Sequence, residues 1–323
     1  MNDLRTLPPE LLLVIFGAAC DDDGATARSL VLVSRSFHFL ALPFIYRVLA
    51  LHGSDQLTTL LERFEREPDF ASLVEHVLVA DPGPGPECLA FENALRTLWG
   101  FIAPTVKSLA LSIHPRNEDA QKAFQTVFDT PFPYLTDLTL CGEHPIPAGA
   151  SLRFPSLRRF HTAGLAKRNP ASFFTPLTVA CPRLSHIRVS MGSESNITHA
   201  VSAALGLPGA RTDSEKMCLD RVLNSGGSER EGTYVPFPVL PSGLVSLVVK
   251  PVAPPMSLFA GNTSQFYRQY IKQLEELVPA CPRGKMKLLP AFKRAMWDAE
   301  VYDAAEMRRD WMDAMRGGLG AWA

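Results

Sequence analysis

The chain has 323 residues, 46% of them apolar and 20% charged, which excludes intrinsic disorder and leaves room for about two domains around a sizeable core. A formal net charge of −1 supplies no global field that would recruit nucleic acid or an anionic membrane. The six cysteines, at 20, 88, 141, 181, 218 and 281, never form C-x-x-C, so no zinc knuckle or redox pair is indicated and a reducing, intracellular home fits.

The first informative stretch is Leu7 to Phe16, "LPPELLLVIF". Pro8 and Pro9 suit a first helical turn, where a missing amide proton costs nothing, and Glu10 adds a carboxylate at the positive end of the helix dipole. Leu11, Leu12, Ile15, Phe16 and Ala19 then form a helical stripe. The run "LLLVIFGAAC" looks like a signal peptide core, but Asp3, Glu10, the proline pair and a single preceding basic residue, Arg5, argue against export. No apolar run is long enough to span a bilayer.

Asp21-Asp22-Asp23-Gly24 ends this helix and caps a second, predicted over Ala25 to Val33. The triple aspartate is a better helix cap than a cation site. Ser34-Arg35-Ser36 breaks the second helix, Ser36 caps a third over Phe37 to Leu42, and Pro43 begins a turn that runs into the extended "VLAL". Helices this short cannot bury enough surface alone, so either the following domain or a partner must cover them.

Leu7-Pro8-x-Glu10-Leu11-Leu12-x-x-Ile15-Phe16, followed by Leu30-x-x-Val33-Ser34-Arg35-x-Phe37-x-x-Leu40, resembles an F-box over about residues 5–48. Phe37 departs from the tryptophan many members carry, and the acidic loop "CDDDGATA" is a second departure. The resemblance implies docking on a Skp adaptor and, through it, a cullin–RING ubiquitin ligase. It assigns Leu7, Pro8, Leu11, Leu12, Ile15, Phe16, Leu30, Val33 and Phe37 to adaptor contact or to holding that surface. An N-terminal helical cap packed on its own second domain remains the alternative.

A degenerate pattern follows: proline, an aliphatic, then two apolar residues at strand spacing. It reads "PTVKSLAL" from Pro104, "PYLTDLTL" from Pro133, "PSLRRFHT" from Pro155, "PRLSHIRV" from Pro182 and, with one extra residue, "PSGLVSLVV" from Pro241. An earlier copy, "LVEHVLVA", begins at Leu73. The first aliphatics are Val74, Val106, Leu135, Leu157, Leu184 and Leu244, at spacings of 32, 29, 22, 27 and 60. These lie around the period of leucine-rich repeats, whose L-x-x-L-x-L core is a short strand stacked in a parallel sheet. Helical returns are predicted over 87–102, 118–128 and 170–181. The usual asparagine after the strand is missing, so the segment resembles an irregular leucine-rich-repeat domain; an ordinary α/β domain with unrelated strands stays open. In the repeat register Ala110, Thr139, His161 and Arg188 line one strand face, and Thr139, His161 and Arg188 are the candidate substrate contacts.

Residues 192–236 are polar and rich in Gly and Ser, as expected of a flexible insertion. Ser264 can cap a helix with the stripe Phe266, Tyr270, Ile271, Leu274, Leu277 and Val278. After Pro290 a further helix carries Phe292, Met296, Trp297, Met307, Trp311 and Met315. It reads as a cap on the edge of the repeats, or as a partner-binding helix anchored by Trp297 and Trp311.

No nucleotide-binding, metalloprotease or nucleophile-elbow motif occurs, and no two histidines stand at i+3 or i+4. The expectation is therefore an α/β protein that is not an enzyme, with no catalytic residue, cofactor or metal. Its segments would be an F-box-like module over 1–48, a repeat domain with parallel sheet over 49–262, and a helical cap and tail over 263–323. It would act in the cytoplasm or nucleus as a substrate receptor in the ubiquitin-conjugation pathway, binding an unidentified substrate protein. The alternative is a non-catalytic interaction scaffold.

Overall fold

The computed structural model describes residues 7–81, 88–113, 120–144, 153–165, 177–191, 198, 201–202, 243–251, 261–281, 285–291, 302, 304–316 and 318–322. It is an α/β structure in two compact units, Met1–His144 with Tyr302–Ala323, and Pro145–Val301. This division differs from the expected segments, because the tail is split between the two. Most of the expected insertion at 192–236, and Trp297, lie outside the described residues.

The first unit begins with three helices. In α1 (Pro9–Ala19) the carbonyl of Pro8 accepts from the amides of Leu11 and Leu12. The Asp22 carboxylate then takes three hydrogen bonds, from Gly24 N (3.0 Å), Thr26 N (2.9 Å) and Thr26 Oγ1 (2.7 Å). They cap α2 (Ala25–Leu30) across Gly24, whose φ of 86° favours glycine. Burial pushes the Asp22 pKa up, but these bonds outweigh it and hold the carboxyl below its usual range. Helix α2 stops at Leu30, short of the expected Val33, and leaves Leu32 and Val33 in a turn. Ser34, not Ser36, caps α3 (Arg35–Arg47) by accepting from Phe37 N, and α3 continues through Pro43, where a turn was expected. One missing amide bond at Pro43 does not end a helix whose neighbours are packed.

Four parallel strands follow in chain order: β1 (Val48–His52), β2 (His76–Ala80), β3 (Ser108–Ser112) and β4 (Asp137–His144). Between them run α4 (Gly53–Arg66), α5 (Cys88–Ile102) and α6 (Ala120–Asp129). Helix α4, which the sequence reading omitted, buries Leu57, Leu61 and Phe64 at helical spacing. His76, Ser108 and Asp137 stand side by side, each two residues after Val74, Val106 and Leu135. The repeat alignment is thus the strand register. Leu49/Leu51, Val77/Val79, Leu109/Leu111 and Leu138/Leu140 fill one buried face with Leu and Val only. Gly142, at φ 127°, lies so close to β3 that a Cβ would sit 2.6 Å from the carbonyl oxygen of Ile113. Only glycine fits there.

The second unit repeats the arrangement with β5 (Arg159–Leu165), β6 (His186–Met191), β7 (Ser246–Pro251) and the short β8 (Met286–Leu288), all parallel to their neighbours. Arg159, His186 and Ser246 are in register, two residues after Leu157, Leu184 and Leu244. Helix α7 (Gly261–Ala280) packs on β8 and buries Tyr270 and Leu274. The last helix, α8 (Ala304–Met315), belongs to the first unit.

Candidate functional site

The three N-terminal helices have an inside and an outside that the sequence did not separate. Leu12 and Phe16, one turn apart, form a small core with Ala41, and Leu7, Leu30, Val31, Phe37, Leu40 and Phe44 pack against it. The Phe16 ring meets Phe37 edge-on at 5.1 Å between centroids. Of the nine expected adaptor residues, Leu12 and Phe16 are therefore internal, and Leu7, Leu30 and Phe37 are half-buried supports. Pro8, Leu11, Ile15 and Val33 face outward. The single stripe expected on α1 is two faces, because consecutive residues such as Leu11 and Leu12 lie about 100° apart on a helix.

Four further outward residues escaped the sequence reading: Leu13, Val14, Leu32 and Phe39, with Val14 70%, Leu32 85% and Phe39 74% exposed. Their spacing was a usable signal, since Leu11, Val14 and Ile15 stand at i, i+3 and i+4. Seven of the eleven large hydrophobic residues found exposed among the described residues fall between Leu11 and Phe39. Scattered exposed apolar residues need no explanation, but this concentration in one small module does.

The strand faces carry the expected substrate residues. In the first unit Ala110 pairs with Thr139 across β3 and β4, and Ser108 and Ser112 share their side of β3. Ser108, Ala110 and Ser112 are all buried and Thr139 is half-buried. The cover is α8: the Trp311 indole donates to Ser108 Oγ at 2.8 Å, and Met307, one turn earlier, is fully buried. Tyr302 is buried too, donating through its hydroxyl to Asp310 and accepting from Cys141 Sγ at its carbonyl. Arg308 pairs with Asp23 in the acidic loop before α2. So α8 lies on a central strand, flanked by β2 and β4, and does not cover a sheet edge as expected. Trp311 anchors it to its own unit, not to a separate partner. Burying Met307 and Trp311 is worth roughly 1.5–3 kcal/mol each, and the half-exposed Arg308–Asp23 pair at most about 1 kcal/mol.

In the second unit His161 pairs with Arg188 across β5 and β6, as the repeat register requires. His161 Nε2 and Ser190 Oγ share a hydrogen bond of 2.9 Å, and Arg188 Nε donates to the same oxygen at 3.2 Å. His161 is 1% and Arg188 3% exposed, which removes both from direct substrate contact in this conformation. Burial, then the charges of Arg188 and Lys250, hold the His161 pKa well below its ordinary value, so the ring is neutral at physiological pH. A serine within hydrogen-bond reach of a neutral histidine has the geometry of a nucleophile and its base. Ser190 is itself buried, however, and an open groove among the described residues of this unit, about 560 Å³ between α7 and the ends of β7 and β8, is lined by residues such as Tyr267, Ile271 and Leu288 and by none of this cluster. The cluster joins β5 to β6 through one serine oxygen.

At the head of the first unit's strands, Lys107 donates to Glu75 at 2.6 Å, and His76 lies 3.7 Å from the same carboxylate. Burial lowers the His76 pKa to about 4 against the pull of Glu75. Among the described residues no group of three His, Cys, Asp or Glu side chains could hold a metal, and no helix is long and apolar enough to cross a membrane. No family model, curated protein or solved structure matches the chain.

Proposed function

We propose that this chain is the substrate-receptor subunit of a Skp–cullin–F-box ubiquitin ligase, docking the adaptor through its N-terminal helices and holding a substrate protein through its repeat region. The observation that carries this reading is the outward apolar set Leu11, Val14, Ile15, Leu32, Val33 and Phe39 on a module whose own core is satisfied by Leu12, Phe16 and Ala41. An apolar exterior on so small a helical module is stable in water only at a cost that a partner surface removes. The same exposure counts against the scaffold alternative, in which these helices pack on their own repeats. The leucine-rich-repeat reading draws support from the parallel strands, which follow chain order in each unit in the register of the L-x-x-L-x-L copies. The chemistry is tethering: the receptor supplies no reacting group and raises the effective concentration of substrate lysines near the charged ubiquitin-carrying enzyme.

The test is co-purification of the full chain with a recombinant Skp adaptor. Wild type is expected to retain the adaptor, and Ile15→Asp and Val33→Asp to lose it at least tenfold without loss of helical circular dichroism. Equal retention by all three chains would falsify the proposal.

A further inference from the structure

The two units carry opposite charge, which the total of −1 conceals. Pro145–Val301 has 19 Lys and Arg against 10 Asp and Glu, a formal +9, and the rest of the chain has 13 against 23, a formal −10. If every carboxylate of the second unit were paired within it, nine cations would still look outward for an anion. The excess is concentrated on the sheet. The four strands with the residues that flank them, 153–165, 177–191, 243–251 and 285–291, hold eight Lys and Arg and no Asp or Glu.

Alternation puts Arg159 and His161 of β5, His186 and Arg188 of β6, Lys250 of β7 and Lys287 of β8 on one side, with Lys285 just ahead of β8. Helix α7 packs on the other side, where Pro251 and Leu288 line the groove beside it. His161 and Arg188 are buried, but Arg159, His186, Lys250 and Lys285 are only half-buried and Lys287 is exposed. The first unit treats its charges differently. At its strand entries Arg47, Glu75 and Lys107 alternate in sign, and Lys107 donates to Glu75 at 2.6 Å. The second unit instead sets Arg159 beside His186 and His161 beside Arg188. Basic residues side by side across strands weaken a sheet, and such a local violation marks a site whose return lies elsewhere.

We infer that the basic side of the second unit's sheet is where a substrate protein docks, and that it takes an acidic, extended segment whose carboxylates meet Arg159, Lys250, Lys285 and Lys287. Neighbouring strands stand about 4.8 Å apart, so four of them span about 14 Å, the reach of about four extended residues. Arginine can grip a carboxylate through two parallel N–H bonds, and each lysine adds a point charge. The strands present no Phe, Tyr or Trp on this side for a base to stack on, which favours a protein over a single-stranded nucleic acid. This rests on the receptor reading and names the substrate class, but its test needs no adaptor, so the two fail separately.

The probe is a short fluorescent peptide of alternating glutamate and serine, titrated into the full chain beside a single-stranded oligonucleotide of equal charge. Wild type is expected to bind the peptide more tightly than the oligonucleotide, and to lose it at least tenfold between about 0.05 M and about 0.5 M salt. Arg159→Gln/Lys287→Gln is expected to weaken binding at least fivefold. Arg66→Gln/Arg96→Gln, which removes two exposed charges from the first unit, is expected to change it less than twofold. Lys287→Gln alone, at an exposed position, should weaken it at least twofold and serves if the double variant unfolds. No binding by wild type, or equal weakening by the two double variants, overturns the proposal. Tighter binding of the oligonucleotide overturns it in favour of nucleic acid. A wild-type chain that sediments as a dimer in low salt only gives the basic side to the acidic first unit of a second copy, and overturns it too.

Discussion

The strand faces of the two units are built on one plan and carry different chemistry. Both alternate a mostly apolar inward residue, Leu or Val in the first unit and including Phe160, Thr162, Ile187 and Met286 in the second, with a variable residue on the other side, and in both the variable residues fall in register. In the first unit that side is Ser108, Ala110 and Ser112 on β3, between His76, Leu78 and Ala80 of β2 and Asp137, Thr139 and Cys141 of β4, and a helix bearing tryptophan and methionine covers β3. In the second it carries Arg159, His161, His186, Arg188, Lys250 and Lys287, with a buried histidine and arginine meeting at one serine. The inward face sets the fold and tolerates little. The other face is free to change character, so the same backbone serves as a hydrophobic seat in one place and a basic, hydrogen-bonded surface in the other.

The largest break in this comparison is a charge at the buried centre of the first unit's face. Ala110→Arg has no room beneath α8 and is expected to cost roughly 3 kcal/mol or more in urea unfolding. Arg188→Met, the converse change, should cost less than about 1.5 kcal/mol, because an apolar residue of similar volume often replaces a buried charge without loss.

Acid sharpens the contrast next. His76 and His161 have folded pKa values below the unfolded 6.5, so below pH 6.5 the unfolded chain takes up protons the folded chain refuses. The stability present above pH 6.5 is lost as pH falls, by up to about 1.4 kcal/mol per pH unit for each histidine. The His76 contribution levels off near its folded value of about 4. Chemical denaturation at stepped pH checks this. In Arg188→Met one of the charges that depress His161 is gone, so its share of the acid loss begins to level off at a higher pH.

Smaller still, Trp311→Phe keeps an aromatic ring but removes the bond to Ser108, for an expected loss of about 1 kcal/mol in urea unfolding. Ile15→Asp should change stability by less than about 0.5 kcal/mol in the same measurement, because the side chain already stands in water. A larger loss would mean that the module's outer face is packed in solution.

The strand register was legible because each copy announces itself twice, by a buried aliphatic such as Val106 and by alternation two residues later. Strand β8 was not, since Met286–Leu288 is three residues long and, behind Pro282, Arg283 stands where the other copies have a buried aliphatic. The division of the N-terminal helices was hidden for a different reason. Leu11 and Leu12 are the same residue type about 100° apart on a helix, and hydrophobicity does not say which of them finds a neighbour. Only the shared core of Leu12, Phe16 and Ala41 decides it. The seat of α8 was beyond reach, because Trp311 and Ser108 belong to segments that share no local pattern and meet only in three dimensions. Likewise the partnership of His161 with Arg188 was readable from the register, but their burial was not.

The place of α8 in the chain also governs how the protein is made. The first unit is completed by residues that leave the ribosome after the whole of the second unit has been synthesised. Until then β3 presents Ser108, Ala110 and Ser112 without the cover of Met307 and Trp311. Helix α8, translated after the second unit, closes it.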